Sequence, residues 1–192
     1  MNILRYIYHF ILLVIYIPIW PLCIIGYYRH KEFVESDLMR INPQGGLQNL
    51  IKVLLRNKPF RNVFFYRIGT LGKIISLYMH PLSSLYITTN IIGKGLIVVH
   101  GDSTYINAEK IGDNCYVNQN VTIGVIGNNK PVLGDNVRVA TGAIVIGGIT
   151  IGNNVVIAAG AVVVKDVPDN CMVAGNPSCI RKLNGKSVNI KL

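Results

Sequence analysis

Charge is scarce in this chain. Only 15% of its residues are charged while 51% are hydrophobic, an unusually apolar balance for a soluble protein. The four cysteines (Cys23, Cys115, Cys171 and Cys179) form no CxxC pair and have no zinc-type spacing. That excludes a cysteine-built zinc module and leaves buried or free thiols in a reducing compartment as the expectation. No module interleaving aromatic and basic residues is present, so the net charge of +10 is not read as a nucleic-acid footprint. It reads instead as a solvated surface or as attraction to anionic lipid or phosphate. No small-residue cleavage site follows the apolar N-terminus, which argues against a removable signal peptide. Titratable side chains are rare in the C-terminal half, where His100 is the one histidine.

What is present is a period. Apolar residues recur in sixes at Ile111, Val117 and Ile123, then at Leu133, Val139, Val145, Ile151, Ile157 and Val163. The phase breaks once in this stretch, where GVIGNNKPV inserts extra residues. Six fits neither the helical period nor strand alternation over this length. It fits a parallel β-helix whose short strands meet at tight corners and whose coils stack. The repeated apolar residue points inward, and the small residue after it is expected to let the backbone turn the corner. Looser hexads from Ile91 and a continuation to Val173 give roughly four to five coils.

The chain before the repeat is different. Residues 3–28 are nearly all apolar, with Arg5 and His9 near one end and Arg29, His30 and Lys31 at the other. That length can span a bilayer, or it can bend at Pro18 and Pro21 and re-enter. The competing expectation is an apolar helix buried in protein. Basic residues after the segment place the remainder on the cytoplasmic face of the inner membrane, with the cytoplasm as the alternative. Residues 32–45 read as a polar linker ending in Asn-Pro-Gln-Gly-Gly, and residues 47–57 show helical apolar spacing. Arg61, Arg67 and Lys73 lie among aromatics on a further helical segment, suited to a membrane surface or to simple packing. His80, before Pro81, reads as structural. The predicted organisation is a membrane-associated segment (1–31), a helical linker region (32–84), a β-helix (85–175) and a basic tail (176–192).

A single-coil β-helix has no pocket of its own, so its sites are expected where subunits meet, most naturally in a homotrimer. His100, in VVHGDS, could serve there as general base on a hydroxyl. The stretches IGKGLIVVHGDSTYIN, IGDNCYVNQNVTIG, GDNVRVATGAIVIGGITIGNNVVIAAGAVVVKDVPDN and VAGNPSCIRKL resemble the hexapeptide-repeat acyltransferases. The resemblance covers about residues 85–183. It points to the serine acetyltransferase-like branch and its relatives in polysaccharide gene clusters, and it implies a left-handed parallel β-helix using acetyl-CoA as donor, with no metal. On the matching positions it implies His100 as catalytic base and Thr141 and Ala159 along the pantetheine arm. Lys165, Arg181 and Lys182 fall toward the CoA phosphates.

Departures from the family pattern shape the acceptor expectation. Leu85 stands where serine acetyltransferase has an aspartate fifteen residues before the histidine, Val99 where it has another, and Lys130 where it has a second histidine. Asp102 or a backbone carbonyl is left to orient His100, so Asp102 and Lys130 are acceptor-site candidates. The acid-rich helical domain of that enzyme is replaced by an apolar segment. The sequence therefore predicts O-acetylation of a saccharide in cell-envelope or capsular polysaccharide synthesis. Serine O-acetylation in cysteine biosynthesis is the first alternative and a non-catalytic β-helix scaffold the second.

Overall fold

A computed structural model describes residues 2–192 without the side chains of Asn2, Ile3 and Arg5, so what the sequence suggested for Ile3 and Arg5 lies outside the described residues. The chain divides after Ser83 into a helical unit and a β unit.

The helical unit begins with α1 (Asn2–Ile15) and α2 (Trp20–Arg29), two helices bent 83° from one another. Pro18 lies in the break. Pro21 lies in the first turn of α2, where a missing N–H leaves no hydrogen bond unmade. Among the described residues no single helix is long and apolar enough to cross a membrane. The two halves of the apolar segment have different fates. Cys23, Gly26 and Tyr27 of α2 are buried, and Cys23 and Tyr27 belong to one apolar core with Leu38, Leu54, Phe64 and Ile68. Most of α1 is exposed. The boundary expected at residue 31 therefore falls inside one packed unit.

The stretch expected to be a linker folds instead as α3 (Lys31–Met39), because Val34 and Leu38 give it an apolar face that the core covers. The unit continues with α4 (Gly46–Arg56), α5 (Lys58–Ile68) and α6 (Thr70–Ser76). Its buried polar groups are paired. Asp37 takes a bidentate bond from Arg67 at 2.8 and 3.1 Å, with side chains 1% and 5% exposed. Glu35 accepts from the Tyr27 hydroxyl at 2.7 Å and from the amide of Gly46 at the start of α4 at 2.8 Å. Asn57 caps α5 by accepting from the Phe60 amide.

The β unit is a parallel β-helix of three faces. The first stacks β1 (Leu85–Ile87), β4 (Thr104–Ile106), β7 (Thr122–Gly124), β10 (Ile144–Ile146) and β13 (Val162–Val163). The second stacks β2 (Ile91–Ile92), β5 (Lys110–Ile111), β8 (Val132–Leu133) and β11 (Thr150–Ile151). The third stacks β3 (Ile97–Val98), β6 (Tyr116–Val117), β9 (Arg138–Val139), β12 (Val156–Ile157) and β14 (Cys171–Ala174). Every apolar residue of the sixfold series from Ile111 to Val163 is at most 1% exposed. The segment expected to be a basic tail adds β15 (Cys179–Leu183) and β16 (Lys186–Lys191), an antiparallel hairpin that extends the third face.

The small residue after the apolar anchor has a different cause from the one the sequence suggested. Gly93, Gly112, Gly134 and Gly152 do not have the positive φ of a corner. A Cβ on any of them would meet a side-chain oxygen of the next coil (Asp113, Asp135, Asn153 or Asp169) at 2.2–2.6 Å. Those oxygens accept from the backbone amides of Lys94, Asp113, Asp135 and Asn153 at 2.7–2.9 Å. Each glycine clears space for a side chain that ties one coil to the one before. The corner itself is turned two residues after each glycine, by Gly95 at φ +75° and by Asn114, Asn136 and Asn154 at +57°.

Candidate active site at a corner of the beta-helix

Cross-rung partners define equivalent positions. Val98, Val117, Val139, Ile157 and Val173 are in register on the third face. Two residues beyond each, at the corner leading back to the first face, stand His100, Gln119, Thr141, Ala159 and Gly175. Gln119, Thr141 and Ala159 form a column down one edge, with rungs about 4.8 Å apart, and His100 stands at the head of that edge in a corner of different length. Below Gln119 the side chains shrink from Thr to Ala to Gly. That leaves a narrow track along which a thin, extended ligand can lie against backbone. Gln119 was missed in the sequence, although counting two from each inward anchor finds it.

His100 is exposed and has φ +62°, in the left-handed region uncommon for residues other than glycine. The Gly101 amide bonds back to the Val99 carbonyl at 2.8 Å, which makes His100 the centre of the rarer, strained type of γ-turn. In the shorter corners below, Gln119, Thr141 and Ala159 do not have positive φ. The reason is local length. Six residues separate Val117 from Ile123, Val139 from Val145 and Ile157 from Val163, but eight separate Val98 from Ile106. The two extra residues bulge the corner and raise His100 out of the rung. Strain of this kind costs on the order of 1–3 kcal/mol and is concentrated at functional positions.

The other candidates divide between places. The Asp102 carboxylate takes a hydrogen bond from the Ser84 hydroxyl at 3.4 Å, while its carbonyl receives the Asn120 amide at 2.8 Å. Among the described residues no bond joins Asp102 to the His100 ring. Leu85 points into the coil at 4% exposure and offers no polar atom. Lys130 and Lys165 sit on a different edge, where the first face turns into the second. Lys130 ends the inserted loop, whose tip is a two-residue turn between Ile126 and Asn129 with Gly127 at φ +61°. The loop folds over the next coil, since a Cβ on Gly147 or Gly148 would meet Ile126 or Asn129 at 3.2 or 2.9 Å. Lys165 is exposed one coil further along that edge. Arg181 and Lys182 are exposed on β15, and Arg181 donates to Asn189 at 2.8 Å. Within one chain the column and the lysine edge are thus separated by the width of the first face.

Residues 130–165 match the family model for the bacterial transferase hexapeptide (six repeats). A serine acetyltransferase of Staphylococcus aureus (strain Mu50) is 42% identical over 163 residues, covering 80% of this chain and 73% of that protein. The chain belongs to the serine acetyltransferase family. A second member, from Bacillus pumilus, is 43% identical over 103 residues, but the alignment covers only 48% of its length and 51% of this chain. Among solved structures, the Neisseria gonorrhoeae serine acetyltransferase in complex with serine superposes with a TM-score of 0.65 at 28% identity, covering 81% of this chain and 70% of that one. These relatives overturn the saccharide acceptor and the polysaccharide branch predicted from the sequence. That reading rested on Leu85, Val99 and Lys130, whereas the family's likeness runs through both units. Its members are acetyl-CoA-dependent acyltransferases, and the donor expectation stands with the family.

Proposed function

We propose that this chain is a serine O-acetyltransferase. The observation that carries the proposal is the 42% identity over 163 residues to a serine acetyltransferase. His100 takes the proton of the serine hydroxyl as that oxygen attacks the acetyl thioester carbonyl. The C–S bond then breaks as the C–O bond is completed, and the proton passes to the leaving CoA sulfur. No covalent enzyme intermediate is needed, because donor and acceptor meet at one edge. The pantetheine arm runs along Gln119, Thr141 and Ala159, with Arg181 and Lys182 toward the nucleotide. The chain works as a homotrimer in which the edge bearing Lys130 and Lys165 faces the His100 column of a neighbour. This rests on the outward side of the first face, which carries Tyr86, Tyr105, Ile144 and Val162.

The test is thiol release from acetyl-CoA with and without L-serine. Serine-dependent release is expected. His100→Asn, which tolerates the left-handed backbone, should lower kcat roughly 10²–10⁴-fold, the usual worth of a general base. Val99→Asp should lower KM for serine by restoring a carboxylate for its ammonium. No serine-dependent release, or full activity in His100→Asn, would overturn the proposal.

A further inference from the structure

The helical unit carries two features that acyl transfer does not use. The first is the outer surface of α1. Tyr6, Ile7, Phe10, Ile11, Val14 and Ile15, with Ile17 just beyond the helix, are 46–71% exposed. His9, Leu12 and Tyr16, spaced at helical intervals, are only half-buried on the side of the helix that lines a cavity of the unit. A run of large exposed apolar side chains on one helix marks an interaction site.

The second is that cavity, of about 500 Å³, lined by Tyr8, His9, Leu12 and Tyr16 of α1 together with Leu55, Arg56, Lys58, Arg61 and His80. Among the described residues no carboxylate lines it. Arg61 is 5% exposed, and its donors go to the carbonyls of Leu54, Leu55 and His80. Its hydrogen bonds are met, but its charge has no anionic partner among the lining residues. Burial accordingly holds its pKa below the usual guanidinium value. Arg56 and Lys58 stand exposed beside it. A buried cation flanked by two more is a seat for a phosphate.

We propose that the helical unit docks on an anionic bilayer, with α1 lying in the interface and a lipid phosphate entering the cavity lined by Arg56, Lys58 and Arg61. Charge complementarity selects this occupant. Up to Ser83 the chain has ten Lys and Arg against three Asp and Glu, a formal charge of +7. A second copy of the chain would bring an equally basic unit to the same face, at a repulsive cost. An anionic surface brings apolar depth for α1 and countercharge for the cavity together. The proposal is independent of the acceptor assignment, because its test reads partitioning and not turnover.

The experiment is flotation of the full chain with vesicles of phosphatidylcholine alone and of phosphatidylcholine mixed with phosphatidylglycerol. Trp20, the only tryptophan, packs beside Tyr16 and reports the same event by a blue shift. Flotation with the mixed vesicles only, and its loss in Phe10→Glu/Ile11→Glu, are expected. Arg56→Gln/Lys58→Gln should weaken partitioning roughly thirtyfold, from the worth of two basic residues at an anionic surface. Neither pair touches the core, so both variants keep their fold. Three outcomes would overturn the proposal. One is no flotation with either vesicle. Another is equal flotation with both vesicles, undiminished in Arg56→Gln/Lys58→Gln. The third is self-association that Phe10→Glu/Ile11→Glu dissolves while vesicles go unbound. Stabilisation by inorganic phosphate without vesicle binding would likewise refute the lipid as source.

Discussion

Gly112→Ala tests the claim that glycine follows the apolar anchor to make room for the next coil. The added Cβ would lie 2.3 Å from Asp135 Oδ1 and 2.6 Å from the Gly134 carbonyl carbon and oxygen, about 1 Å inside normal contact. Two of those atoms are backbone, so no rotamer change relieves the overlap. Separating the coils by ~1 Å would stretch the Gly112–Leu133 bond at 2.9 Å and the Asp113–Asp135 bond at 2.8 Å beyond hydrogen-bonding range. Two lost bonds at about 1 kcal/mol each, with overpacking of about 1–3 kcal/mol, give roughly 3–5 kcal/mol. For a chain of this size that lowers Tm by roughly 6–20 °C. Gly124→Ala is the control, since its Cβ would find its nearest neighbours at an ordinary 3.7 Å and its φ is not positive. It should stay within about 1 kcal/mol of the parent. Gly160→Asn is the converse control. Gly160 has φ +67° and open space around it, and Asn120 already holds its equivalent corner at +58°. If corner flexibility were the reason for all these glycines, Asn would be as welcome at position 112 as at 160. A Gly112→Ala melting curve matching that of Gly124→Ala would refute the steric account.

Three further outcomes follow from particular contacts. Ala159→Arg, on an exposed column position, should raise KM for acetyl-CoA by obstructing the track while leaving the melting temperature in place; steady-state kinetics beside a thermal melt separates the two. Arg67→Met should cost roughly 3–5 kcal/mol in urea unfolding by removing the bidentate guanidinium from the Asp37 carboxylate at 1% exposure, and Arg67→Met/Asp37→Leu should recover much of that loss. Burial, reinforced by the hydrogen bond to Glu35, pushes Tyr27 up to about 12. The folded state therefore favours the protonated phenol, and its contribution is complete below the ordinary tyrosine value near 10. It fades as pH rises from about 10 through 12, so the stability difference between the parent and Tyr27→Phe should narrow across that window in pH-resolved urea titrations.

Periodicity made the β-helix legible because each hexad obeys one local rule. An apolar residue enters the coil, and nothing distant can override it. The helical unit was less legible. α3 carries Lys31, Glu32, Glu35 and Asp37 in a short span, and its polarity reads as a linker. Its burial depends on Arg67, thirty residues away, neutralising Asp37. A pairing at that separation leaves no mark in a local window. The apolar segment was ambiguous for a related reason. Composition is alike on both sides of Pro18, yet the buried core residues (Ile19, Cys23 and Tyr27) all follow it, and of those before it Tyr16 packs against the core only partly buried.

The catalytic corner shows why spacing and residue matching led apart. His100, Thr141 and Ala159 were each found by resemblance, but the relation between them is arithmetic, two residues beyond Val98, Val139 and Ile157 on stacked rungs. The same arithmetic locates Gln119 and the two-residue excess between Val98 and Ile106. Leu85 and Val99 precede that excess and keep their register, Leu85 opposite Thr104 and the Val99 amide on the Val117 carbonyl at 2.8 Å, so the bulge sets the place of His100 alone. Deleting Asp102 and Ser103 would return the corner to six residues and remove the turn that lifts His100. If the bulge holds the base, the shortened chain should keep its β-helix and its acetyl-CoA affinity, while serine-dependent thiol release should fall as far as in His100→Asn.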